Sequence, residues 1–187
     1  MPEACAAVKD PRRMSAQTPS PRRFVASGPL RGRIRVPGDK SISHRALMFS
    51  ALAVGRSRIS GLLEGEDVLA TAAALRQMGA TIGQEGEDWI VDGVGVGGFL
   101  QPQAALEMGN SGTSTRLLMG LVASQAITAR FTGDASLSRR PMDRVIEPLA
   151  GMGASFTPSD GGTLPLVIEG IEPAVPITYR QIGRAHV

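Results

Sequence analysis

Three short stretches of this chain set cations, hydroxyls and bare amide groups beside expected helix starts. The first is Pro37-Gly38-Asp39-Lys40-Ser41-Ile42-Ser43-His44-Arg45. Pro-Gly makes a turn, and Ser41 and Ser43 are suited to cap a helix whose apolar face holds Ala46, Leu47 and Phe49. Lys40 is expected just before that start and Arg45 in its first turn. The second stretch is Gly109-Asn110-Ser111-Gly112-Thr113-Ser114-Thr115-Arg116. Its glycines permit close backbone approach, and its hydroxyls can cap a helix or contact a ligand. The third is Ser138-Arg139-Arg140-Pro141, with Pro141 suited to a first helical position. Arg140 can make a two-pronged contact to a carboxylate or phosphate. Helix N-termini carry unpaired N–H groups and a partial positive charge, so all three stretches favour bound anions.

Each stretch alone also fits a plainer role: a helix cap, a turn, or a solvated arginine pair. Three such starts in one chain point instead to a small ligand carrying several negative charges. Nothing resembles a metal site, because His44 and His186 stand far apart without cysteine partners. His44, inside the first stretch, is expected to be structural or exposed.

The elements that must position these groups come from a duplication. Ala74-Leu75-Arg76-Gln77-Met78-Gly79-Ala80-Thr81-Ile82 resembles Pro148-Leu149-Ala150-Gly151-Met152-Gly153-Ala154-Ser155-Phe156, with Met78 and Met152 74 residues apart. Each segment reads as the end of an amphipathic helix, closed by a left-handed glycine and leading into a strand. Each precedes a strand-like run ending in an acid and glycine, Trp89-Ile90-Val91-Asp92-Gly93 and Leu166-Val167-Ile168-Glu169-Gly170. In the first unit the pattern predicts a strand near 31–36, a helix over 43–54 and a strand near 57–60. A helix over 66–78 and strands near 80–84 and 88–91 follow. In the second unit it predicts a helix over 114–122, a strand near 128–132, a helix over 142–152 and strands near 155–157 and 164–168. Such alternation implies an α/β or α+β domain with helices packed on sheets.

Composition narrows the classes further. The 187 residues are 42% hydrophobic, carry a net charge of +3 and include one cysteine. That hydrophobic content is globular, and no apolar run reaches the roughly 20 residues that span a bilayer. Cys5 alone cannot close an internal disulfide, which fits a reducing cytoplasm. The basic excess crowds the first 45 residues, and the body lacks the aromatics that stack on nucleic-acid bases. A non-catalytic basic module binding nucleic acid is the rival reading from another class, and the missing aromatics weigh against it; its affinity would fall steeply with salt. Residues 1–29 are rich in Pro, Ser, Ala and Arg and are expected to be a disordered or mis-assigned extension, with Met14 an alternative start. Residues 181–187 are expected to be a translated sequencing-adapter tail, which would leave Arg184 and His186 without a role.

Taken together, the three stretches resemble the 5-enolpyruvylshikimate-3-phosphate synthase family. Pro-Gly-Asp-Lys-Ser-Ile-Ser-His-Arg, Gly-Asn-Ser-Gly-Thr-Ser-Thr-Arg and Gly-Asp-Ala-Ser-Leu-Ser-Arg-Arg-Pro-Met occur in the family's order and spacing. The likeness spans about residues 30–180. The wording around Leu62-Leu63-Glu64-Gly65-Glu66-Asp67 is nearer the bacterial class II subgroup. The resemblance implies the enolpyruvyl transferase fold, two lobes each built from three βαβαββ units, of which residues 30–180 would supply about two units of one lobe. It implies transfer of the enolpyruvyl group of phosphoenolpyruvate to the 5-hydroxyl of shikimate 3-phosphate, with release of phosphate, on the shikimate pathway to chorismate and the aromatic amino acids. No metal or organic cofactor is implied, and no nucleic-acid or membrane partner; the full-length enzyme would be a cytoplasmic monomer.

Carried over by motif, Lys40 touches both substrates, Ser41 and Arg45 hold shikimate 3-phosphate, and Gly112 and Arg140 hold phosphoenolpyruvate. Lys40 and Arg140 would be catalytic, with Asn110 and Arg116 organising the loop. Glycine at 112 also implies sensitivity to glyphosate, which competes for the phosphoenolpyruvate site in this family. The resemblance breaks off after Arg180, before the family's acidic general base and further cationic residues, so the chain alone is expected to be inactive. The nearest rival is the related enolpyruvyl transferase of cell-wall synthesis, which acts on a UDP-sugar (UDP-N-acetylglucosamine). The Asp39–Arg45 run favours shikimate 3-phosphate.

Overall fold

The computed structural model describes residues 28, 29 and 31–180; the expected adapter tail and nearly all of the expected extension lie outside the described residues. The chain divides into two units, residues 1–35 and 36–187. All regular structure among the described residues belongs to the second.

The first repeat contains α1 (Lys40–Leu52), β1 (Val54–Ser60), α2 (Glu66–Gln77), β2 (Thr81–Glu85) and β3 (Asp88–Val94). The second contains β4 (Leu106–Glu107), α3 (Gly112–Ala123), β5 (Thr128–Thr132), α4 (Asp143–Gly151), β6 (Ser155–Ser159) and β7 (Thr163–Glu169), with a 3-10 turn at Leu137–Arg139. The two sheets run β1-β3-β2 and β4-β5-β7-β6. β4 lies parallel to β5, and the other pairs are antiparallel. The second sheet therefore has the order of the first plus one edge strand. That makes it a complete βαβαββ unit; the first is an αβαββ unit.

The expected strand near 31–36 is not formed: residues 31–39 are irregular. In the second sheet its counterpart, β4, exists by pairing with β5. No strand among the described residues pairs with 31–36, and a lone run cannot satisfy a ladder of backbone donors and acceptors. The short β4, spanning only Leu106 and Glu107, was not expected from the sequence.

The repeat is visible in the backbone. At the end of α2, Gly79 N–H donates to Arg76 O (3.0 Å) and Ala80 N–H to Leu75 O (3.1 Å). At the end of α4, Gly153 N–H donates to Ala150 O (2.9 Å) and Ala154 N–H to Leu149 O (3.3 Å). These are twin Schellman closures, and Gly79 and Gly153 have φ of +103° and +105°. The repeated acid-glycine pairs also find their reason. A Cβ on Gly93 would overlap the carbonyls of Ser50 and Ala53 at the end of α1. One on Gly170 would overlap those of Val122 and Gln125 at the end of α3.

One hydrophobic core runs through both repeats. Leu47 and Ala51 of α1, Val68, Ala72 and Leu75 of α2, and Leu118, Met119 and Val122 of α3 are buried in it with Val91, Phe131, Leu166 and Ile168 of the sheets. α4 buries no residue fully and lays Val145, Ile146 and Leu149 against the core. Outside the core, Arg56 pairs with Asp92 and Arg58 with Asp88 across the β1–β3 ladder. Ile42, Phe49 and Val54 are 60%, 66% and 92% exposed, so an apolar surface along α1 and the start of β1 stands uncovered.

Candidate anion site at three helix starts

The first turn of α1 is capped by Asp39, not by Ser41 or Ser43. Its Oδ1 accepts from Ile42 N–H at 2.7 Å. A carboxylate is an even better partner than a hydroxyl for the positive end of a helix. Lys40 is thus the first helical residue rather than the one before, and Arg45 falls in the second turn. Ser43 is buried; its hydroxyl donates to Asp39 O (2.8 Å) and accepts from Leu63 N–H (3.0 Å), tying α1 to the loop after β1. Ser41 and Arg45, four residues apart on one helix face, are exposed. The Lys40 ammonium pairs with the Asp67 carboxylate in the first turn of α2.

The second stretch behaves as its composition suggests. Ser111 caps α3, its hydroxyl accepting from Ser114 N–H at 3.2 Å. Gly112 opens the helix beneath two guanidinium groups. A Cβ at this position would stand 2.8 Å from Arg116 Nη1 and 3.1 Å from Arg140 Nη1. Arg116 is held back toward its own helix, Nη1 donating to Gly112 O at 3.1 Å.

The third stretch supplies Arg140, which follows the 3-10 turn. Pro141 does not begin α4: the cap is Met142 and the helix starts at Asp143. Met142 N–H donates instead to Gly162 O (2.8 Å), so the β6–β7 turn holds the helix start. Arg140 Nη2 donates to Asn110 Oδ1 (2.7 Å) and to Ser136 Oγ (3.3 Å). Asn110 Nδ2 in turn donates to Asp134 Oδ2 at 2.7 Å. Asp134 Oδ1 accepts from Leu137 N–H at 2.7 Å. That backbone bond, then Asn110, then the Ser136 N–H and last the charge of Arg140 hold the Asp134 carboxyl below the usual carboxylate range.

The expected residues therefore fall into two groups. Asn110, Gly112, Arg116 and Arg140 form one cluster, and a cavity opens beside it between Arg116, Arg140 and the start of α4. Lys40, Ser41 and Arg45 share the first two turns of α1. Asp67 links the groups: its carboxylate holds Lys40 and its carbonyl accepts from Ser114 Oγ (2.9 Å). His44 proves fully buried rather than exposed, and burial lowers its pKa. Sequence reasoning missed Asp67, Thr71, Asp134 and Ser136. Asp134 and Ser136 lie inside the quoted Gly-Asp-Ala-Ser run. Asp67 and Thr71 sit on another helix, with no spacing relation to the motifs they meet.

With cations and amides from separate loops converging at a helix N-terminus, comparison with known proteins is decisive. The sequence pattern of EPSP synthase (3-phosphoshikimate 1-carboxyvinyltransferase) matches residues 25–182. The chain belongs to the EPSP synthase family. It is 71% identical over 161 residues to the 3-phosphoshikimate 1-carboxyvinyltransferase of Novosphingobium aromaticivorans, covering 86% of this chain and 36% of that protein. Over 172 residues it is 65% identical to the enzyme of the same name from Sphingopyxis alaskensis, covering 89% and 39%. Its fold matches the solved EPSP synthase from Acinetobacter baumannii with a TM-score of 0.75 at 48% identity, over 79% of this chain and 34% of that one. The chain thus spans little more than a third of the length of these relatives. The enolpyruvyl transferase fold expected from the motifs is the one observed. Among the described residues, no helix is long and apolar enough to cross a membrane. None of their histidines, cysteines or acids gather in a group of three that could hold a metal ion.

Proposed function

We propose that this chain supplies part of the substrate site of a 3-phosphoshikimate 1-carboxyvinyltransferase, which moves the enolpyruvyl group of phosphoenolpyruvate onto the 5-hydroxyl of shikimate 3-phosphate and releases phosphate. The observation that carries the reading is the Gly112 cluster. Arg140 is fixed through Asn110, Asp134 and Ser136, and its guanidinium comes within 3.1 Å of the space that any side chain at 112 would occupy. A fixed guanidinium over a bare helix start suits a ligand carrying both phosphate and carboxylate, as phosphoenolpyruvate does. Charge-assisted hydrogen bonds to such groups contribute roughly 1.5–3 kcal/mol each. Donors held in advance where charge develops can each contribute about 10²–10³ in rate.

In this reading Gly112 and Arg140 bind phosphoenolpyruvate, with Asn110 and Arg116 shaping the loop. Ser41 and Arg45 bind shikimate 3-phosphate. Lys40 leaves Asp67 to reach both substrates. The working protein acts as a cytoplasmic monomer on these two small molecules, without nucleic acid. The test grafts residues 25–182 into the matching stretch of the Novosphingobium aromaticivorans enzyme. The graft is expected to release phosphate from phosphoenolpyruvate in the presence of shikimate 3-phosphate, and R140A or K40A to reduce kcat/KM at least 10²-fold. A graft that prefers UDP-N-acetylglucosamine as acceptor, or one indifferent to both substitutions, would sink the reading.

A further inference from the structure

A chain of buried hydrogen bonds joins the two halves of the candidate site, and Thr71 at its centre lies outside all three motifs. His44 Nδ1 lies 2.8 Å from Thr71 Oγ1. Thr71 Oγ1 lies 2.9 Å from Ser114 Oγ, which is 2.6 Å from Ser111 Oγ and 2.9 Å from Asp67 O. His44, Thr71 and Ser114 have no exposure, and Ser111 is 1% exposed. One residue thus comes from α1, two from α2, one from α3 and one from the cap of α3.

Counting donors gives the chain a direction. A hydroxyl donates once, and a neutral imidazole carries one N–H. With its one proton given to Asp67 O, Ser114 accepts from Thr71 and Ser111. Thr71 then has no proton left for His44, so His44 Nδ1–H donates to Thr71. This arrangement leaves His44 Nε2 a bare acceptor, and Nε2 is the one buried side-chain polar atom among the described residues without a partner. An unmet acceptor costs less than an unmet buried N–H, which favours this direction over its reverse. The chain ends on Asp67, whose carboxylate holds Lys40. A branch from Ser114 reaches Ser111, adjoining Gly112.

We propose that Thr71 and Ser114, oriented by a neutral Nδ1–H His44, are positioning residues that set the Gly112 loop against the first turn of α1. The consequence for ligands rests on the function proposed above: the groups that grip phosphoenolpyruvate and those that grip shikimate 3-phosphate keep one register because this chain spans both. Thr71→Val keeps the side chain's shape and removes the hydroxyl at the centre, while Thr71→Ser restores it.

The test is made on the 187-residue chain by NMR. Long-range 15N spectra should show His44 protonated at Nδ1. T71V should shift the backbone amides of Lys40–Ser43 and of Ser111–Thr115 together, and T71S should return both sets toward the parent positions. Phosphoenolpyruvate affinity, followed by titration, should fall roughly 2- to 30-fold in T71V and recover in T71S. A proton on Nε2, or shifts in T71V confined to α2 with affinity unchanged, would overturn the proposal. A parent chain that binds neither substrate would count against the proposed function instead; the tautomer and amide shifts, which need no ligand, would still decide the positioning role.

Discussion

Gly112 works by leaving space. A methyl group there meets no backbone, only the tips of Arg116 and Arg140 at 2.8 and 3.1 Å. The overlap falls on side-chain ends and not on backbone, so G112A should lower the melting temperature little while pushing both guanidiniums off the positions their hydrogen bonds give them. The expected result is weaker binding of phosphoenolpyruvate, and of glyphosate if it uses the same space, measured by calorimetry on the grafted enzyme. Unchanged affinity for both would show that position 112 does not face the ligand. Asp134 bears on the Arg140 guanidinium through Asn110. Its folded-state pKa is depressed by the Leu137 N–H and by Asn110. Its ionised form therefore adds stability above the unfolded-state pKa, and that contribution is lost as pH falls through the depressed folded value. Carbonyl-carbon NMR should find Asp134 titrating below the ordinary aspartate range. The Asn110 side-chain amide should shift at the same midpoint, and with it the support of Arg140 should go.

At the scale of elements, the duplicated helix ends and acid-glycine pairs were legible in the sequence because a left-handed cap and a close helix-to-strand approach each demand glycine. The two classes of glycine should respond differently to alanine. G79A forces a side chain onto a φ of +103°, which costs about 1–2 kcal/mol, and brings its Cβ to 3.0 Å from the Leu100 side chain, which can yield. G170A, whose Cβ would overlap the carbonyls of Val122 and Gln125, requires the end of α3 to move and should destabilise more. Urea unfolding of the two variants would check the order. The starts of helices were less legible than their ends. Ser41, Ser43 and Asp39 are all good caps, and only the fold shows that Asp39 takes the role and Ser43 turns to Leu63. The strand expected at 31–36 failed for a similar reason: alternation describes a strand's faces but does not supply the neighbour it must pair with.

Across the molecule, the motifs foretold which residues would cluster around Gly112, since Asn110, Gly112 and Arg116 share one loop and helix and the family resemblance puts Arg140 on the same ligand. They could not foretell the partners contributed by α2. Thr71 meets His44 and Ser114 only because α1, α2 and α3 pack over one core. The assembled cluster offers cations and amides. Of the acids nearby, Asp67 is committed to Lys40 and Asp134 to Asn110 and the backbone, which leaves Asp143 at the wall of the adjoining cavity. Proton transfer needs a positioned acid and base, so the 187-residue chain is expected to bind substrates weakly and to release no phosphate in a coupled assay. Turnover by the purified chain would show that a general acid and base lie within it. The exposed Ile42, Phe49 and Val54 should also make it prone to self-association.

The most direct test of the account is an NMR titration of the 15N-labelled chain with phosphoenolpyruvate and with shikimate 3-phosphate. Phosphoenolpyruvate is expected to perturb Asn110–Ser114 and Arg140, and shikimate 3-phosphate Lys40–Arg45, with each ligand strengthening the response to the other. Perturbation confined to the arginine-rich residues before 36, with the three helix starts silent, would contradict it.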